Sequence, residues 1–127
     1  MDDLIIYSST DGQTKKICET IKENLPSGNK FKLISLDEAL YFNLENCEKI
    51  IIGASIRYGR HNKKVIDFII KNKNILDLKK TAFFSVNVVA RKEEKSTPET
   101  NPYVLNFLKK TNWKPNKLSV FAGKVDY

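Results

Sequence analysis

Residues 4–14 read LIIYSSTDGQT, and the order of residue types in them constrains both fold and chemistry. Leu4 to Tyr7 form an apolar run that suits a buried strand. The run breaks into Ser8, Ser9, Thr10, Asp11, Gly12, Gln13 and Thr14, and a helical pattern follows at once. A strand, a hydroxyl-rich loop, a glycine and a helix start together make a phosphate cradle. The unpaired N–H groups of a helix's first turn and its dipole favour an anion, and Ser and Thr hydroxyls add donors. The loop has no lysine and lacks the Gly, Gly-Lys and Ser/Thr spacing of a nucleoside-triphosphate loop. Its single glycine also excludes the dinucleotide fingerprint. A lysine-free cradle suits a phosphate carried by a tightly held cofactor, FMN foremost. The alternative reading of the same residues is a polar loop that does no more than cap a helix.

The 127 residues suit one domain with one core. No run of about 20 apolar residues is present to span a membrane, and MDDLII lacks the basic start of a signal peptide. Cys18 and Cys47 have no metal-ligand spacing and read as reduced thiols of a cytosolic protein. The formal net charge of +7, from 22 Lys+Arg against 15 Asp+Glu, admits an anionic membrane surface or an acidic substrate. Single lysines dominate, with no arginine-rich arm or zinc module, so nucleic acid is not the expected partner.

Strand and helix patterns then alternate along the chain. A first strand at Leu4–Ser8 leads to a helix from Gly12 to Leu25, with Ile17, Ile21 and Leu25 as an inward stripe that Cys18 widens. Pro26 to Asn29 break it, Phe31–Leu36 is a second strand, and Asp37–Cys47 has room for a short helix. Lys49–Ser55, apolar on both faces, suits a central parallel strand. A helix from Asn62 to Leu76 with Val65, Ile66, Ile69 and Ile70 inward, and a strand at Thr81–Asn87, come next. A fourth helix is expected from Thr97 as N-cap and Pro98 in its first turn, with Tyr103, Val104, Phe107 and Leu108 inward. Trp113 and Pro115 pack and end it, and Leu118–Val125 is the fifth strand.

This alternation predicts an α/β three-layer sandwich with a parallel five-stranded sheet, in the flavodoxin-like order 2-1-3-4-5. Ligands in such sheets sit at the carboxyl ends of the strands, where the order switches between strands one and three. The loops after strands three and four should therefore stand beside the first loop. They hold Ser55, Ile56, Arg57, Tyr58, Gly59, Arg60 and His61, and Val86, Asn87, Val88, Val89, Ala90, Arg91 and Lys92. Tyr58 offers an aromatic face, Gly59 close backbone approach, and Asn87 donor and acceptor groups for ring heteroatoms. Arg57, Arg60, Arg91, Lys92 and Lys95 form a basic rim suited to an acidic substrate or an anionic membrane. His61, the only histidine, reads as a residue at a helix start. A phospho-acceptor domain of the same fold is excluded, because Asp2 and Asp3 precede the first strand and the third ends in Ser55.

The segments SSTDGQT, IIGASIRYGRH and FFSVNVVARKEEKSTPETNPY, in this order, resemble the flavodoxin-fold, menaquinone-dependent protoporphyrinogen oxidases of bacterial haem synthesis. The resemblance implies an FMN enzyme that oxidises protoporphyrinogen IX to protoporphyrin IX and passes the electrons to a quinone, menaquinone or ubiquinone. It implies that Ser9, Thr10, Asp11, Gly12, Gln13 and Thr14 hold the FMN phosphate. It also implies that Phe84, Ser85, Val86, Asn87, Val88 and Val89 flank the ring from one side, and Ser55, Ile56, Arg57, Tyr58 and Gly59 from the other. Arg57, Arg60 and Arg91 are the expected partners of the substrate propionates. The chemistry is flavin-centred, so no protein residue is expected as the catalytic acid or base, and no metal is expected. Peripheral attachment to the cytoplasmic face of the inner membrane is also implied.

Members of that family continue past the fifth strand to a last helix, which this sequence lacks. The expectation is a single flavodoxin-like domain over 1–127, incomplete at its C-terminus. Apolar surface on strands one and three is then expected to be bare. Two other readings stand beside the oxidase: a flavodoxin-type electron carrier, and a shortened non-catalytic remnant.

Overall fold

A computed structural model of the chain describes residues 3–8, 13–26, 30–57, 60–61, 63–87 and 101–122. In chain order the elements are β1 (Asp3–Ser8), α1 (Gln13–Asn24), β2 (Phe31–Ser35), α2 (Leu36–Ala39), a 3-10 turn (Leu44–Asn46), β3 (Lys49–Arg57), β4 (Arg60–His61), α3 (Lys63–Leu76), β5 (Lys80–Asn87), α4 (Pro102–Thr111) and β6 (Lys117–Ala122).

Five strands pair in parallel in the order β2-β1-β3-β5-β6. Counted without β4, this is the expected 2-1-3-4-5 order. Parallel neighbours cannot be joined by a tight turn, and α1, α3 and α4 supply the crossovers. The sequence reading did not include β4, which folds back antiparallel on the end of β3 and pairs Arg60 with Arg57 and His61 with Ile56. A two-residue strand is too short to show a period, although Tyr58-Gly59 has the length of a tight hairpin loop. His61 therefore stands in a strand, and α3 begins at Lys63.

The period of two along each strand sorts the apolar residues onto two faces. Ile34, Ile6, Ile52, Phe83 and Leu118 are successive partners across the sheet and belong to the larger core. That core also takes Val65, Phe68, Ile69 and Leu76 from α3, Phe107 from α4, and Trp113. Phe83 and Phe107 stack at 4.3 Å between centroids with rings 5° from parallel, and Trp113 meets Phe83 edge-on at 6.0 Å. Ile70, expected inward, is 51% exposed. It stands one residue, about 100°, past the Val65–Phe68–Ile69 stripe.

The start of α4 also differs from expectation. Asn101 is the N-cap, its side-chain oxygen accepting from the N–H of Tyr103 at 3.1 Å and of Val104 at 3.3 Å, and Pro102 opens the helix. Thr97 and Pro98 lie outside the described residues. Thr97-Pro98 and Asn101-Pro102 carry the same local signal. Asn101 is fully buried, so tertiary packing supports this cap. Asn112 ends the helix in the left-handed region (φ 54), which suits asparagine, and its N–H donates to the Leu108 carbonyl.

On the opposite face, Ile17 and Ile21 of α1, and Leu25 just after it, pack with Ile5, Leu33 and Phe31, and Cys18 is fully buried among them. Strand one is not bare: Leu4, Ile5 and Ile6 are all fully buried. α1 shields β1 on one side and the larger core on the other. The strip that α1 leaves open lies farther across the sheet, over β3, β5 and β6.

Candidate functional site

The carboxyl ends of β1, β3 and β5 come together at the switch in strand order. Ser8, Ala54 and Ser85 are successive partners across these three strands. At about 4.8 Å per strand, the end of β5 lies about 10 Å from the end of β1. The backbone thus brings the segments after β3 and β5 beside the loop that enters α1.

Thr14 is the informative side chain here. It stands in the first turn of α1, fully buried, and its Oγ1 has no hydrogen-bond partner. A buried hydroxyl without a partner costs about 1–3 kcal/mol. It sits where a helix N-terminus presents unpaired N–H groups and positive dipole. An anion held by those N–H groups would satisfy the hydroxyl as well, so these residues fit a phosphate-bearing cofactor. The sequence marked Thr14 as one of several hydroxyls; its burial could not be read from spacing.

The other expected site residues divide into three groups. Ser9, Thr10, Asp11, Gly12, Tyr58, Gly59, Val88, Val89 and Arg91 lie outside the described residues. Gln13 opens α1, Ile56 and Arg57 end β3, Arg60 is in β4, and Asn87 ends β5. Ser55 is half-buried, whereas Phe84, Ser85 and Val86 are buried. Phe84 lies over Gly53 and belongs to the smaller core, beneath the strand ends. Gly53 was not singled out from the sequence, although a lone glycine inside a strand signals a close approach.

Cys18 is not a nucleophile for this site. Burial, and secondarily the carboxylate of Glu19, push its thiol up to about 12, so it stays protonated near neutral pH. Among the described residues no group of three or more His, Cys, Asp or Glu could hold a metal, and no helix is long and apolar enough to cross a membrane.

With this geometry in place, comparison with known proteins is specific. The flavodoxin-domain family model matches residues 4–127. A protoporphyrinogen IX dehydrogenase (quinone) from Leishmania major is 38% identical over 126 residues, covering 98% of this chain and 54% of that protein. The protein of the same name from Escherichia coli K12 is 38% identical over 128 aligned positions, covering 100% of this chain and 71% of that one. The chain thus spans about half the length of the first relative. Among solved structures, a flavoprotein in complex with FMN from Lactobacillus acidophilus superposes with a TM-score of 0.66 at 19% identity, over 94% of this chain and 92% of that one. Oxidised flavodoxin 2 from Bacillus cereus gives 0.61 at 23% identity, over 100% and 88%. At such identities these two structures establish the fold.

Proposed function

The chain belongs to the flavodoxin-domain family, and from that premise we propose that it holds FMN at the carboxyl edge of its sheet. We propose further that it serves the oxidation of protoporphyrinogen IX to protoporphyrin IX with a quinone as electron acceptor, the activity named for its Leishmania and Escherichia relatives. One observation carries the cofactor reading: the buried, unpartnered Oγ1 of Thr14 at the start of α1.

Bound FMN would supply the redox chemistry. The chain's part is to bind, orient and exclude water. Thr14 Oγ1, the first N–H groups of α1 and the groups of Ser9, Thr10, Asp11, Gly12 and Gln13 would hold the FMN phosphate. The ends of β3 and β5, with Ser55 to Gly59 and Phe84 to Val89, would flank its ring. Phe84 acts from below, by filling the space over Gly53 and keeping water from beneath the strand ends. Arg57, Arg60 and Arg91 bind the two propionates of the porphyrinogen, because guanidinium groups pair with carboxylates in a fixed fork.

The net charge of +7 and the lipid solubility of quinones support peripheral contact with an anionic membrane surface, at the cytoplasmic face of the inner membrane. Menaquinone and ubiquinone both suit this reading. The test is an FMN titration of the chain followed by flavin fluorescence, then turnover of protoporphyrinogen IX with each quinone. Saturable one-to-one binding with turnover is expected. Binding without turnover would leave an electron carrier, and no binding by a folded chain would overturn the reading.

A further inference from the structure

We propose that the corner between the end of α4 and the start of β6 binds a small ligand that joins an apolar body to a carboxylate. The inference stands apart from the cofactor. β5 and β6 are parallel, so α4 crosses from the carboxyl edge of the sheet back to its amino edge. The corner is at the amino edge, and the proposed flavin site is at the other.

The first argument is shape. A cavity of about 360 Å³ opens at this corner, a volume within the range of small-molecule pockets. Leu108, Trp113, Pro115 and Leu118 give it an apolar lining, and Lys109 and Lys114 bring charge to it. All of the lining falls within residues 108–118, one described stretch. Trp113 belongs to the larger core, and Leu108 and Leu118 pack against it. The corner therefore stands on the face that carries both α3 and α4, away from the strip beside α1.

The second argument is the balance of donors and acceptors. Carbonyls at the end of α4 are already engaged: Thr111 Oγ1 donates to the Phe107 carbonyl at 3.0 Å, and the Asn112 N–H donates to the Leu108 carbonyl at 2.8 Å. The charged and aromatic groups of the lining are donors, since ammonium groups and an indole N–H donate and do not accept. Among the described residues neither lysine pairs with a carboxylate. Trp113 is 1% exposed and its Nε1–H has no partner, although a buried donor without an acceptor is costly. A carboxylate brings two acceptor oxygens and the opposite charge. Its apolar body covers Leu108, Pro115 and Leu118 at the same time. The indole N–H is covered in the free chain, so the ring tilts its edge toward the cavity as the ligand enters.

The probe is octanoate, with octanol as the same body without the charge. The chain has one tryptophan, so its indole N–H gives a single resonance in a proton–nitrogen NMR spectrum. Octanoate titrated into the full chain should move that resonance downfield and saturate at one equivalent bound. Octanol should bind about tenfold more weakly. The variant Lys109→Ala with Lys114→Ala should weaken octanoate about tenfold, leave octanol unchanged and leave FMN affinity unchanged. Both lysines are exposed, and the octanoate–octanol pair tested on the unmodified chain answers the question even if the variant misfolds. Equal affinity for acid and alcohol, or no saturable binding, would overturn the proposal. So would saturable binding that leaves the indole resonance in place, which would put the acid elsewhere on the chain.

Discussion

Gly53 and Phe84 stand opposite each other on β3 and β5, and the phenyl ring occupies the space over the glycine that a side chain would take. A methyl group added at Gly53 would overlap the ring. Glycine inside a strand is ordinarily weakening, so the ring's need for space accounts for it here. Gly53→Ala is expected to cost about 1–3 kcal/mol through overpacking. Combined with Phe84→Leu, its cost should shrink by about 1 kcal/mol, a coupling that denaturation of the two single variants and the double variant measures. Strictly additive losses would show that the ring is not what keeps a side chain out.

Thr14→Val tests the phosphate cradle by opposite signs in two measurements. Without cofactor, valine keeps the shape and removes a buried hydroxyl that has no partner. The variant should therefore be as stable as the natural chain or more so, by about 1 kcal/mol. FMN affinity should fall about ten- to a hundredfold, because a hydrogen bond to a charged group is lost. Loss of stability without loss of affinity would assign Thr14 to the core alone.

What the sequence made legible is what repeats. The apolar runs of β1 and β3 and the Ile17–Ile21–Leu25 stripe that runs along α1 and just past its end carry a period over enough residues to fix type and direction. The strand order followed from their alternation. What escaped was either too short or decided by contacts from elsewhere. β4 spans two residues. Ile70 is as apolar as Ile69 and stands one step off the stripe. The Asn101 cap of α4 is fixed by burial, which no local pattern encodes. For the site, the sequence supplied the residue types and the switch point; the orphaned hydroxyl of Thr14 is visible only once α1 packs.

Removing the α4 cap should be costly for its size. Asn101→Ala leaves the N–H groups of Tyr103 and Val104 without their acceptor in a buried place. The expected loss is about 1–2 kcal/mol. Asn101→Ser, whose hydroxyl also serves as a helix cap, should recover most of it. Urea unfolding checks this through a lowered midpoint at unchanged slope. A change in slope would point instead to an altered denatured or native ensemble.

The buried thiol of Cys18 gives stability a specific alkaline limb. The folded chain holds its proton up to about 12, against an ordinary value of 9.0, chiefly because burial disfavours the thiolate and secondarily because Glu19 is near. Above pH 9 the folded state therefore binds more protons than the unfolded one. The thiol's contribution is fully present below pH 9 and is lost as pH rises from there toward 12, with a slope of at most about 1.4 kcal/mol per pH unit. Lysines and tyrosines titrate in the same range, so the measurement is a difference: stability against pH for the natural chain and for Cys18→Ala. The variant should start lower, from the cavity it leaves, and fall less steeply above pH 9. Parallel curves would mean that the thiol ionises without resistance, and iodoacetamide would then label Cys18 in the folded chain.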